Sequence, residues 1–168
     1  MKNEQLSYTR YPVVSLSAEY LVMGHLMRRN ILTYKAPPNN EGYDLICIHP
    51  DPRQRKKQIR VQVKSRLATD CNRAFLVKEK TLDTFDYLII VFLNCGYFFG
   101  KRKRHKTIEG IKEAEFYTLP QSFIKEHLDK TTSLQKVQTR GLNIEKYKNE
   151  KGFELIAKKL SIPHPEKK

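Results

Sequence analysis

The sequence lacks what a membrane-spanning protein, an exported protein or a zinc module would need. No segment reaches the roughly 18 consecutive apolar residues required to cross a bilayer. The longest greasy stretch, YLIIVFLNCGYFFG, is short and contains Asn94 and two glycines. The opening MKNEQLSYTRYP carries no signal-peptide apolar region. Cysteine is scarce: Cys47, Cys71 and Cys95 are odd in number, lie far apart and form no CxxC pair, which argues against bound zinc. These absences predict a cytoplasmic chain with no membrane partner. Internal repeats, low-complexity linkers and helix-turn-helix, zinc-finger or RNA-binding signatures are also missing. Carboxylates are few, 18 against 32 lysines and arginines.

That imbalance leaves a formal net charge of +14, which predicts attraction to polyanions such as nucleic acid. Nine tyrosines and eight phenylalanines argue against disorder. A chain of 168 residues holds one domain with a real core and is short for two. We therefore expect a single domain over residues 1–168.

Along the chain, residues 15–30 read as a helix capped by Ser15 or Ser17. On a helical wheel Leu16, Tyr20, Val22, Met23, Leu26 and Met27 form an apolar arc, with Ser17, His25, Arg28 and Arg29 opposite. ILTYKAP and GYDLICIH read as strands, PDPRQRKK as a loop and QIRVQVKSRL as the returning strand of a hairpin. AFLV is a further short strand, TLDTF a helical turn and DYLIIVFL a buried strand. GYFFG adds another strand, KRKRHK is a charged loop, and residues 116–119 form a last strand. PQSFIKEHL is a helix opened by Pro120. The segment from Gly141 to Leu160 is helical, with Phe153, Ile156, Ala157 and Leu160 on one face. The order predicts an α/β fold with a mixed central sheet flanked by helices, and a helical C-terminal extension over about 120–162.

Two carboxylates stand out. Glu19 falls inside the apolar arc, where a carboxylate is costly unless it is paired or bound to a metal; the other reading is a charge favoured by the helix N-terminus. Asp44 opens the run LICI, as a turn aspartate or as a site residue. In IRVQVKSR the side chains of Ile59, Val61 and Val63 share one face, and Arg60, Gln62 and Lys64 share the other. That polar face is either a solvated edge or a site. Antiparallel pairing of the hairpin would bring Asp44 beside Gln62 and Lys64 in a suitable register, which the sequence alone does not fix.

A glutamate on a helix, then an aspartate opening a strand, then QVK on the next strand after 17 intervening residues: this order resembles the PD-(D/E)XK nuclease superfamily. The matching positions are Glu19, Asp44, Gln62 and Lys64, and the resemblance covers about residues 15–95. Tyr43 stands where the motif name has proline, and Gln62 stands where an acid is usual, a variant found in some restriction enzymes and small homing endonucleases. The resemblance implies a restriction-endonuclease-like core and a Mg²⁺-dependent DNA endonuclease, with Mn²⁺ as a substitute. It implies metal ligation by Asp44, the Gln62 side-chain oxygen, the Val63 backbone carbonyl and, through water, Glu19. Lys64 orients or activates the attacking water. The same fold without catalysis would make a nucleic-acid-binding protein, the alternative expectation.

Basic clusters give the expected DNA contacts: Arg53, Arg55, Lys56 and Lys57 in one loop, Lys101, Arg102, Lys103 and Arg104 in another, and Arg66 beside the motif, with Arg60 and Arg73 near it. Such residues neutralise phosphates without reading sequence. Tyr97, Phe98 and Phe99 are either base-stacking or core. Cutting both strands of a duplex or a branched DNA needs two sites, so a homodimer or a higher homo-oligomer is expected.

Overall fold

Strands with alternating burial and strands with continuous burial assemble a five-stranded sheet that separates two apolar cores. The computed structural model describes residues 12–38, 40–54, 57–67, 73–98 and 105–164. The central sheet runs β1 (Leu32–Lys35), β2 (Leu45–Ile48), β3 (Gln58–Arg66), β5 (Tyr87–Phe92) and β8 (Glu115–Pro120) in that spatial order. β3 and β5 are parallel and the other neighbours antiparallel, so the sheet is mixed, as expected. β4 (Ala74–Leu76) joins β10 (Lys136–Gln138) and β9 (Leu128–Asp129) in a small second sheet, and β6 (Cys95–Phe98) pairs with β7 (His105–Ile111).

One face of the central sheet is covered by α1 (Pro12–Arg28) and α3 (Asn149–Lys159). Ala18, Val22 and Leu26 of α1 and Phe153, Ile156 and Ala157 of α3 pack there on Leu45, Cys47, Ile59, Val61, Ile89 and Val91. The opposite face packs Leu88, Ile90 and Phe92 against Phe75, Val77, Val137 and the helix α2 (Gln121–Glu126) through Ile124. β5 is apolar on both faces because both are covered. Gly152 brings α3 close to β8: an added Cβ would lie 2.2 Å from the Tyr147 carbonyl oxygen and 2.8 Å from Thr118 Oγ1. Burial pushes the Cys47 thiol up to about 12, so it is a neutral core residue. Cys95 is only half-buried, and Cys71 lies outside the described residues.

Several expectations need correction. The first helix starts at Pro12, so Ser15 and Ser17 are inside it rather than capping it; Ser17 Oγ donates to the Val14 carbonyl at 2.7 Å. It ends at Arg28, with Asn30 in the left-handed region at φ 62°. The amides of Asn30 and Ile31 donate back to Met27 and Leu26, a helix-ending motif in which Asn takes the usual place of Gly. The buried stripe is also rotated from the expected arc. Leu16, Tyr20 and Met27 are exposed, whereas His25 sits against Phe116 and Phe153 and Arg29 is buried. α1 is apolar on more than one side, so periodicity alone could not choose the inner one.

The C-terminal segment is not wholly helical. It contains β9 and β10, whose two- and three-residue lengths leave too little pattern to read. Helix α3 starts at Asn149 rather than near Gly141, although its predicted face is the buried one. His105 and Lys106, expected in a loop, begin β7.

Candidate active site

β2 is shorter than the strand it pairs with, and that mismatch creates a cleft. Its register with β3 runs only from Ile48↔Gln58 to Leu45↔Val61. Beyond it, residues 62–66 of β3 keep β5 on one side and have no β2 partner on the other. A paired strand offers its two faces to different layers; a free edge lets both faces contribute to one site. Four consecutive residues, Val63, Lys64, Ser65 and Arg66, accordingly line a cleft of about 310 Å³ together with Ser15 and Glu19 of α1 and with Asp44.

Asp44 closes the end of the hairpin. Its amide donates to the Val61 carbonyl at 2.9 Å and its own carbonyl accepts from Ala36 at 2.8 Å. Its carboxylate oxygen Oδ2 accepts the Val63 amide at 2.7 Å. The side chain thus takes over where the backbone ladder stops. Because a strand residue directs its N–H and C=O to the same side, the Val63 carbonyl points to the Asp44 edge as well. Gln62, one residue beyond the last β2 pair, stands opposite Asp44. Its Oε1 is buried and has no hydrogen-bond partner among the described residues. A buried, unpaired amide oxygen is costly, and such an atom beside a carboxylate is what an oxygen-ligated cation would satisfy.

Glu19 lies one helical turn beyond Ser15 on α1, and its side chain is 17 % exposed at the cleft. It is paired with Lys35 at the end of β1. Pairing resolves the expense noted for an inward carboxylate. Arg66 lines the cleft with its guanidinium 4.4 Å from the centre of the Phe75 ring, and it donates to the carbonyls of Ser65, at 3.2 Å, and Ala74.

The structure therefore brings Glu19, Asp44, Lys64 and Arg66 to one cleft, with the Val63 carbonyl at its edge and Gln62 next to it on the strand. Of the basic loop, the described residues Arg53 and Lys57 do not join them. Lys57 precedes β3 at its other end, about 20 Å from Lys64 at roughly 3.3 Å per residue, and donates to Ser161 at 3.1 Å. Arg53 is fully in solvent and forks onto Asp51 at 2.9 and 3.0 Å, which holds the Asp51 carboxyl below the usual range. Arg60 belongs to another pair, with Asp86 at 3.6 Å. The guanidinium of Arg73 sits 4.9 Å from the Phe92 ring centre. Arg55, Lys56, Lys101, Arg102, Lys103, Arg104 and Phe99 lie outside the described residues, as do the side chains of Tyr97 and Phe98.

Sequence reasoning missed Lys35, Ser15 and Ser65. Lys35 carried a signal: it continues the Ile31–Thr33 alternation, so a charge stands at a position where the inner face expects an apolar side chain. Ser15 was legible only as a cap, and Ser65 had no distinguishing feature.

The donor set suits magnesium. Mg²⁺ is held through one or two carboxylates with neutral oxygens, waters and substrate phosphates completing its shell. Two carboxylates, a backbone carbonyl and an unsatisfied amide oxygen are of that kind. Among the described residues no group of three or more His, Cys, Asp or Glu side chains is placed to hold an ion, so an ion here would rest on fewer carboxylates completed by neutral oxygens.

No protein-family model and no curated protein sequence matches the chain. Among solved structures, it is similar to a bacterial homing endonuclease, I-Ssp6803I, with a TM-score of 0.51 and 15 % identity over 91 % of this chain and 96 % of that one. A Holliday junction resolvase from the archaeal hyperthermophile Archaeoglobus fulgidus aligns with a TM-score of 0.41 and 12 % identity over 71 % of this chain and 86 % of that one. The chain shares the fold of that homing endonuclease, a mixed central sheet flanked by helices.

Proposed function

We propose that this chain is a metal-dependent endonuclease that hydrolyses phosphodiester bonds in duplex or branched DNA. The observation that supports it most is the meeting of Glu19, Asp44 and Lys64 in one cleft, beside an amide oxygen of Gln62 that has no partner among the described residues. A DNA-binding module has no need of that convergence.

In this reading Asp44, Gln62 and the Val63 carbonyl would hold Mg²⁺ or Mn²⁺, with Glu19 in support. A cation held there would supply a more acidic water and polarisation of the phosphate. Asp44 is fixed in position by the Val63 amide, so its carboxylate is set before substrate arrives. Lys64 orients the attacking water and stabilises charge building on the phosphate oxygens. Arg66, held over the Phe75 ring and by the Ser65 and Ala74 carbonyls, adds a fixed positive charge at the cleft that attracts a backbone phosphate. The basic loops draw in DNA by counterion release. A homodimer would supply one such cleft per strand.

The test is cleavage of duplex and four-way-junction DNA in Mg²⁺ and Mn²⁺, with binding measured in parallel. Asp44→Asn and Lys64→Ala are each expected to lower the cleavage rate by about 10²–10³-fold, the scale of losing one preorganised charge-stabilising group, with DNA affinity nearly kept. Wild-type rates in both variants would refute the site. Tight binding by the wild type with no cleavage in either metal would leave the non-catalytic DNA-binding reading in its place.

A further inference from the structure

Lys35 is not named by the nuclease motif, yet it occupies a telling position. It pairs in register with Leu45, which is buried beneath α1, so the two side chains share the helix-facing side of the sheet. Ile31 and Thr33, which precede it on that side, are buried. The ammonium pairs with Glu19 and lies 5.8 Å from the centre of the Tyr20 ring.

The charges in and around the cleft explain what that pairing does. Glu19 and Asp44 contribute two negative charges, and Lys35, Lys64 and Arg66 contribute three positive ones. The chain's own cations therefore already balance the carboxylates. A carboxylate engaged by an ammonium is not fully open to a dication. A lysine is a point charge on a flexible four-carbon stem and gives up a partner more readily than an arginine fork. Tyr20, 56 % exposed and adjacent to Glu19 in sequence, offers the released ammonium an aromatic face.

We propose that Lys35 is the exchangeable counter-ion of Glu19: it holds the carboxylate at the cleft in the metal-free protein and gives way to the divalent cation. This role rests on the endonuclease reading for the use of that cation. Lys35 keeps Glu19 from being left unpaired and half-buried, and in doing so it sets the metal affinity of the site.

The test is calorimetric titration of Mg²⁺ and of Ca²⁺ into wild type, Lys35→Met, Glu19→Gln and the double variant. Lys35→Met is expected to bind the ions about three- to tenfold more tightly, the scale of releasing one partly exposed ion pair and one nearby positive charge. Glu19→Gln is expected to bind more weakly. In the double variant the Lys35 substitution is expected to have no further effect, because the competition needs the carboxylate. Lys35→Gln gives the same comparison should the Met variant fold poorly. Equal or weaker affinity in both Lys35 variants overturns the proposal and leaves Lys35 as an inward charge protecting the edge strand β1, visible as concentration-dependent association once it is removed. If wild type binds and cuts while the Lys35 variants bind no more tightly, only the counter-ion role falls. If wild type binds no divalent cation, the endonuclease reading falls with it.

Discussion

An ion pair just beyond the C-terminal end of α1 and one within the helix have opposite characters. At its C-terminal end Arg29 is 4 % exposed. It donates through Nε to Glu154 of α3 at 3.0 Å and through Nη1 to the Pro163 carbonyl at 3.1 Å. Nearer the N-terminus Glu19 meets the single ammonium of Lys35 at the rim of an open cleft. The first pair is closed: a rigid fork, several acceptors and burial fix α1 to α3. The second is held by one flexible cation at the edge of that cleft. Closed polar networks finish a fold, whereas an incomplete one marks where something else is to bind.

The sharpest way to test this contrast is to break the closed pair. Arg29→Ala would leave Glu154 partly buried and unpaired, and is expected to cost about 3–5 kcal/mol in chemical denaturation. Replacing both partners, Arg29→Met with Glu154→Leu, is expected to recover most of that loss, since the two desolvation costs vanish together. Neither change is expected to alter divalent-cation affinity. A fall in affinity comparable to that of Glu19→Gln would show that the two ends of the helix are coupled, and the contrast would dissolve.

A smaller effect, of opposite sign, is expected at Gln62, on the other face of β3. Gln62→Met keeps length and volume but removes the unpaired oxygen. It is expected to stabilise the metal-free protein by about 1 kcal/mol, while weakening cation binding and slowing cleavage. Stability gained with function lost is the signature of a residue kept for a ligand. A destabilised Gln62→Met would mean that the side chain is held by partners of its own.

The smallest effect belongs to the far end of β3. Arg53→Ala with Lys57→Ala is expected to weaken binding to all DNA sequences alike, flattening the slope of log affinity against log salt by about 2 at most. The cleavage rate at saturating DNA is expected to stay unchanged, because neither residue reaches the cleft. An unchanged slope would show that this end of the strand faces away from DNA.

Much of the site was legible because its parts lie on short, regular segments. Glu19 stood out as a carboxylate among apolar residues of a helix. Asp44 and the Gln62–Lys64 face stood out from strand alternation, since period 2 assigns each side chain to a face without any tertiary knowledge. The mixed sheet followed from the order of elements and the continuous apolar run of β5. The inner side of α1 was not legible, because Leu16 and Met27 are as apolar as Val22 and Leu26. β9 and β10 were hidden because two or three residues carry no period.

The sequence by itself determined the kinds of chemistry available: carboxylates, an amide and a lysine on a helix and a hairpin, in a chain with a large positive charge. Only the tertiary structure decided which of them meet. β2 stops at Leu45 while β3 continues to Arg66, so the free edge of β3 admits side chains from both faces of the sheet. The packing of α1 on that sheet then selected Lys35, and not one of the arginines, as the partner of Glu19. Strand pairing and helix docking are contacts between residues far apart in the chain. Local pattern sets which residues can face one way; which of them share a site depends on where each neighbouring strand ends.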